Sequence, residues 1–319
     1  MITRRAFLSN AAAAAAVTWT GRDRLLAQAA GAAAQAPAAA PAQAAPITPV
    51  FTPIRRNVGF FTGRGGTIGY LVDAKGVAVV DSQFRDSAKL MLEGLNERSK
   101  NRPVDRLFNT HHHGDHTDGN IVFKGVAAKV VAHAKAAQDM RNPPGGQPPT
   151  TEQLYPDTTF TDTWREAVGD DMVHAKFYGP GHTSGDAVIT FERANVAHMG
   201  DLMFNQRHPV VDAAAGASLK NWITVVERAS ADHPADTIYI FGHANTNLPV
   251  TGARADLMRF RDYLTALLAF VGAQIKAGKN RDEILAMRDP LAGFEVFGRF
   301  GAANPRDPLT AAYDELTKK

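Results

Sequence analysis

No cysteine occurs among the 319 residues. Disulfides are excluded, and so are a thiolate nucleophile and a thiolate metal ligand. Any metal held by this chain rests on nitrogen and oxygen. Long apolar runs are also missing: nothing approaches the roughly 18 consecutive apolar residues that read as a membrane span. Net charge is small. The formal value is +3, and residues 1–29 already carry Arg4, Arg5, Arg22 and Arg24 against Asp23. The rest of the chain is formally neutral, so no basic face for nucleic acid is expected.

What is present begins with Thr3-Arg4-Arg5-Ala6-Phe7-Leu8-Ser9 and an apolar run from Ala11 to Val17. Paired arginines, a modest apolar region and small residues read as a twin-arginine signal over 1–29, with Ala27-Gln28-Ala29 as the cleavage site. That reading predicts export to the periplasm and the twin-arginine machinery as a partner. Residues 30–49 are dominated by Ala, Pro and Gln. Such a composition cannot build a core and reads as a tether. The folded domain is expected over 50–319.

Strands and helices alternate from there. Thr67–Val72 and Val77–Val80 predict a hairpin around Asp73-Ala74-Lys75-Gly76. Ser87–Arg98 repeats Ala88, Met91, Leu92 and Leu95 on one helical face. Val104–Asn109 and Lys129–Ala132 read as strands, and a short helix runs on to about Met140. Val173, Ala175 and Phe177 alternate with polar residues as in a half-buried strand. Asp186–Phe191, Val196–Met199 and Thr237–Phe241 follow as strands. Leu219–Ala229 and Ala253–Ala277 are helices by periodicity. Strands before and after helices in both halves predict two stacked sheets covered by helices. Asn142–Pro149 is a Pro/Gly loop that fits a lid or a plain connector.

The chemistry centres on Thr110-His111-His112-His113-Gly114-Asp115-His116-Thr117. Extended backbone sends alternate side chains to opposite sides. His111 and His113 can therefore share one metal while His112 points away. Gly114 permits a sharp turn, after which Asp115 and His116 face a second metal. Three further candidates each stand just beyond a predicted strand: His182 in Gly181-His182-Thr183, Asp201 in Gly200-Asp201 and His243 in Gly242-His243. Imidazole and carboxylate ligands suit zinc and also admit iron or manganese.

His-x-His-x-Asp-His, then Gly-His-Thr, Gly-Asp and Gly-His, in this order over about residues 58–245, resembles the metallo-β-lactamase superfamily, in particular its glyoxalase II-like and lactonase-like hydrolases. The resemblance implies an α/β fold in four αββα layers and two zinc ions per chain. It implies that His111, His113 and His182 hold the first metal, that Asp115, His116 and His243 hold the second, and that Asp201 bridges them. It also implies hydrolysis of an ester, thioester, lactone or amide in a small molecule by a hydroxide shared between the metals, with Asp115 aligning it. One subclass of zinc β-lactamases has Cys where this chain has Asp201, so penicillin hydrolysis is not the expected primary activity. The rival readings are a mononuclear iron enzyme like the persulfide dioxygenases and a non-catalytic periplasmic metal carrier.

Around these residues, Asp81 is expected to orient a ligand imidazole, because metal-bound His commonly donates its other N–H to a carboxylate. Ser184 and Asp186 are candidates for the same work, with turn capping as the alternative. Arg207 and His208 are candidates for substrate contact. His133 follows a strand and is a candidate for the site's border, with a plain structural role as the alternative, and His112 is expected outward or behind the metal. His174, His198 and His233 are expected on the surface or on a strand face. Gly63-Arg64-Gly65-Gly66 reads as a turn.

Overall fold

Hydrophobic alternation along the strands sorts side chains into three buried layers. The computed structural model describes residues 46–318. The expected signal segment and most of the Ala/Pro-rich stretch lie outside those residues. The first sheet runs in spatial order through β1 (Val50–Arg55), β2 (Val58–Thr62), β3 (Ile68–Val72), β4 (Val77–Val80), β5 (Arg106–Asn109), β6 (Val130–His133) and β7 (Thr158–Phe160). Pairing is antiparallel from β1 to β4 and parallel from β4 to β7. The second sheet takes β8 (Thr163–Val168), β9 (Asp171–Phe177), β10 (Ala187–Phe191), β11 (Val196–His198), β13 (Ile238–Ile240) and β15 (Thr251–Gly252), in that order across the sheet. A two-stranded ribbon pairs β12 (Phe204–Asn205) with β14 (His243–Ala244).

On β4, Ala78 and Val80 enter the layer between the sheets, while Val77 and Val79 face the other way. Phe108 of β5 meets Ala175, Ile189 and Phe191 of the second sheet in that central layer. Behind the first sheet lies α1 (Arg85–Ser99), with Ala88, Met91 and Leu95 packed on Ile68, Val79 and Leu107. Behind the second lie α4 (Leu219–Asp232), α5 (Arg254–Lys276) and α7 (Pro308–Thr317). Trp222, Val226, Phe260 and Leu264 there cover Val188, Ala197 and Tyr239. The order helix, sheet, sheet, helix is the four-layer α/β sandwich that the sequence predicts. Truncating a fully buried aromatic of the central layer, such as Phe108, costs about 3–5 kcal/mol.

Element ends differ from the sequence reading in detail. Val104 makes only an isolated bridge to Ala127, and β5 starts at Arg106. The helical C-terminal stretch is broken into α5, a short α6 (Arg281–Leu285) and α7. Short helices α2 (Gly114–Thr117) and α3 (Ala134–Arg141) complete the set.

Parallel pairing places the site. β4 and β5 run side by side with Val80 opposite Phe108. β11 and β13 run side by side with His198 opposite Ile240. Their carboxyl ends open at one edge of the sandwich, the usual ligand position in parallel sheets. Asp81, the His111–His116 segment, Asp201 and His243 leave from these ends, and His182 leaves from the β9–β10 connection.

Candidate metal centre

The chain leaving β5 is pinned before it reaches its histidines. Asn109 and Asn120 exchange amide hydrogen bonds of 3.0 and 2.8 Å. Asp81 accepts from the Thr110 backbone N–H and hydroxyl, each at 2.8 Å. His113 closes the extended run and is the N-cap residue of α2, which carries Asp115 and His116. At the other side of the site, Gly242 N–H donates to the Gly200 carbonyl at 2.8 Å, holding the Asp201 and His243 turns together. Backbone approach here is close enough to demand glycine. A Cβ on Gly66 would lie 2.1 Å from His116 Cε1, and one on Gly242 would lie 2.0 Å from Asp201 Oδ1.

The side chains converge in two sets that share Asp201. His113 Nδ1 lies 3.2 Å from His111 Nε2 and 2.9 Å from His182 Nε2. Asp201 Oδ2 lies 3.9 Å from His111 Nε2 and 3.5 Å from His182 Nε2. In the second set, His243 Nε2 lies 3.4 Å from His116 Nε2 and 3.2 Å from Asp115 Oδ2. Asp201 reaches this set as well, with Oδ1 3.0 Å from His116 Nε2 and Oδ2 3.4 Å from His243 Nε2.

Hydrogen bonds on the far sides of the rings fix the tautomers. His116 Nδ1–H donates to Asp81 Oδ2 at 2.8 Å. His182 Nδ1–H donates to the Val210 carbonyl at 2.7 Å. His113 Nε2–H donates to Asp212 Oδ2 at 2.8 Å. The Thr110 hydroxyl gives its own proton to Asp81, so at 3.0 Å it accepts from His111 Nδ1–H. In the neutral rings the inward nitrogens are therefore bare lone pairs, and they face carboxylate oxygens. Acceptors crowded on acceptors in a buried site are unfavourable unless a cation lies among them. Asp201 Oδ1 fits that account: it is buried and makes no hydrogen bond despite its 3.0 Å approach to His116. Zinc–nitrogen bonds of about 2.0–2.1 Å set tetrahedral ligand atoms roughly 3.3 Å apart, close to the spacings seen. The donor set fits a metal: one nitrogen or oxygen from each of His111, His113, His182 and Asp201, and one from each of Asp115, His116 and His243, lie within 4.8 Å of one another in their set.

The profile of the Metallo-beta-lactamase superfamily matches residues 61–243. The chain belongs to this superfamily. Metallo-beta-lactamase IND-1 of Chryseobacterium indologenes is 26% identical over 199 residues, covering 60% of this chain and 80% of the relative. Hydroxyacylglutathione hydrolase of Rhodospirillum rubrum is 26% identical over 236 residues, covering 70% and 83%. Among solved structures, a metallo-beta-lactamase from Pontibacter korlensis superposes with a TM-score of 0.57 at 20% identity, covering 68% of this chain and 99% of that one. That last likeness speaks for the fold alone. Homologues in the superfamily are metal-dependent hydrolases, and this chain is an enzyme of that kind.

Within this superfamily member, burial and neighbouring charge set the protonation of the cluster. Burial, helped by His116, holds His111 well below its ordinary range, and burial brings His182 down to about 3. Burial acts the same way on His116 and His243, but nearby carboxylates outweigh it. Asp201 and Asp81 raise His116 well above its usual value, and Asp201 with Asp115 raises His243 to about 9. Asp115 falls to about 2, its burial overcome by His116 and His243. The carboxylates thus demand positive charge, which a divalent cation supplies more directly than protons do.

Several expectations need correction. Of its two expected places His112 takes the inner one: it is buried, with Nε2 3.9 Å from Asp212 Oδ2, rather than outward-facing. Gly114 adopts no left-handed turn and simply opens α2. Ser184 holds no imidazole; its hydroxyl donates to Asp139 at 3.2 Å. Asp186 braces the turn carrying His182 instead, accepting from Gly181 N–H, Thr183 N–H and the Thr183 hydroxyl. His133 caps α3 and stacks on Phe177 at 4.1 Å, serving the core. His198 is on a strand face, that of β11, and is buried; His233 is on neither a strand nor the surface but buried at the end of α4. His198 lies beneath the site, with Nε2–H on the Thr67 carbonyl at 3.0 Å. His174 sits half-buried on a strand face, as expected.

A recess of about 260 Å³ opens beside His113, lined by His112, Met140, Tyr155, Arg306 and the Pro143–Gly146 loop among others. Neither Arg207 nor His208 lines it. Arg207 is exposed, and His208 is held by the Tyr263 hydroxyl at 2.7 Å. Asp212 and the Val210 carbonyl are the groups that sequence reasoning missed. Their only signal was proximity to the Asp201 loop, which says nothing about where a side chain ends.

Proposed function

We propose that this chain is a binuclear zinc hydrolase acting on an ester, thioester, lactone or amide bond of a small molecule. One observation carries the reading: inward imidazole nitrogens whose protons are committed elsewhere surround the carboxylate of Asp201. In this proposal His111, His113 and His182 hold one ion, Asp115, His116 and His243 hold the other, and Asp201 joins them. The second convergent set speaks for two ions over the single iron of the dioxygenase rival, which needs only two His and one Asp. Bound zinc would polarise the scissile carbonyl and make water nucleophilic near neutral pH.

The protein's own residues do the rest. Asp81, Asp212, the Thr110 hydroxyl and the Val210 carbonyl lock the rings, so no reorganisation is needed during reaction. Asp115 is the most open of the carboxylates, its side chain 30% exposed against 4% for Asp201. In this proposal it aligns the attacking water or hydroxide. The recess beside His113 offers room for one flank of the substrate. Relatives named for β-lactam and hydroxyacylglutathione hydrolysis bracket the amide and thioester classes. The Arg4-Arg5 pair and the following apolar run support export to the periplasm, which fractionation of cells making the full chain tests.

The decisive experiment is metal quantification on purified protein beside a chromogenic panel of thioesters, esters, lactones and β-lactams. About two zinc ions per chain with turnover of at least one class is the expected result. A single iron, or full metal loading with no hydrolysis across the panel, overturns the proposal.

A further inference from the structure

Two of the three outer hydrogen bonds of the first set end on one loop, while that of His111 ends on Thr110. His182 donates to the Val210 carbonyl and His113 to Asp212, two residues further on. The stretch from Gln206 to Asp212 forms no helix or strand of its own. Besides the Asp212 N–H on the His182 carbonyl and the turn that follows Asp212, its anchors come from the C-terminal part of the chain. Val211 N–H donates to the Arg306 carbonyl at 3.0 Å. The Arg306 guanidinium lies 2.9 Å from Asp212 Oδ2, the same oxygen that takes His113. His208 donates through Nε2–H to the Gly298 carbonyl at 3.2 Å, and its Nδ1 accepts from the Tyr263 hydroxyl. Its ring stacks on Phe300, centroids 4.8 Å apart. Tyr263, Gly298, Phe300 and Arg306 all lie beyond residue 243, where the superfamily match ends.

We propose that the segment from Gly298 to Arg306 is a clamp that aims His113 and His182, with Arg306 as the positioning residue. The inference rests on the reading of those histidines as first-site ligands. Asp212 is almost fully buried, and its one oxygen is shared between an imidazole and a guanidinium. The other oxygen, Oδ1, accepts from the Ala215 N–H at 3.2 Å, so Arg306 supplies the second donor on the oxygen that holds His113. Without Arg306, Oδ2 keeps only the imidazole, and the direction in which it holds the His113 ring is less tightly set. The charge of Arg306 reaches the metal less than its geometry does, because its side chain is 51% exposed and solvent screens it. The second set is independent of the clamp: His116 rests on Asp81, which is wholly buried and held by Thr110.

The test isolates each site in the full-length chain. A His116→Ala background keeps the first site, and a His182→Ala background keeps the second. Zinc affinity is measured by chelator competition, and cobalt absorption reports the geometry. Arg306→Ala should weaken the first site about tenfold and alter its cobalt spectrum, while leaving the second site unchanged. Arg306→Lys should restore most of the loss, and Phe300→Leu should give a smaller loss at the same site. Should Arg306→Ala not fold, the Lys and Leu variants carry the comparison. Unchanged first-site affinity, or equal losses at both sites, overturns the clamp. A wild-type chain that takes up no metal overturns the hydrolase reading and the clamp together. A chain with two zinc ions and an indifferent Arg306→Ala variant overturns the clamp alone.

Discussion

The two halves of the metal cluster are built from the same residue types but held in different ways. His116 leans on Asp81, a side chain with no exposure, sited at the end of β4 and tied to the end of β5. Its support is the first sheet, close-packed on both faces. His113 and His182 lean on an irregular loop whose anchors come from far along the chain. The first arrangement ties metal binding to global stability. The second allows metal affinity to change while the core stays intact.

Breaking the shared ligand erases the contrast and has the largest effect. Asp201→Ala should abolish turnover and cut the metal content to about one ion per chain or fewer, by elemental analysis. Full activity in that variant would remove the shared carboxylate from the mechanism. Next comes Asp81→Ala. It strands the Thr110 N–H and hydroxyl and the His116 ring in the core, and should cost about 3–5 kcal/mol in denaturant unfolding of metal-free protein. Asp212→Ala is its counterpart on the loop side. There the expected stability cost is only about 1–2 kcal/mol, with a 10–100-fold loss of first-site zinc affinity. Equal stability costs for the two variants would erase the distinction drawn above.

Acid should act through the core. Burial, against the pull of Asp81, lowers His198 to about 4 from an unfolded value of 6.5. The unfolded chain therefore binds the extra proton between those values. Stability from keeping His198 neutral is present above pH 6.5 and lost as pH falls towards 4. The loss is on the order of 3 kcal/mol, and unfolding of metal-free protein across that range measures it. His198→Gln should flatten that limb of the profile; an unchanged slope would exclude His198 as its source. The smallest effect is expected at Arg207, exposed and outside the recess: Arg207→Ala should leave kcat/KM within about twofold and stability within about 0.5 kcal/mol. A tenfold fall in kcat/KM would return Arg207 to the substrate site.

Much of this is legible in the amino-acid sequence. The His111–His116 string and the three Gly-His or Gly-Asp steps stand at strand ends because parallel strands deliver their last residues to one edge. Asp81 was readable as a partner because it too closes a strand. Of the two tasks open to Asp186 in the sequence, turn capping is the one it performs, since a carboxylate beside two backbone N–H groups braces the turn first. The burial of His198 on its strand and of His233 at a helix end is not legible, because a lone histidine at either place has no local mark of burial.

Residue identity and order by themselves determined the oxygen and nitrogen ligand set, the alternation that makes two sheets, and the strand ends from which the ligands depart. These follow from local geometry, in which each side chain's direction is set by its nearest neighbours. Which proton each ring keeps was decided only by the tertiary structure. So was the support of His113 by Asp212, 99 positions away in the chain, and of Asp212 by Arg306. Such pairs carry no period and no spacing rule. They exist because packing three helices on the second sheet carries the C-terminal stretch back to the metal edge.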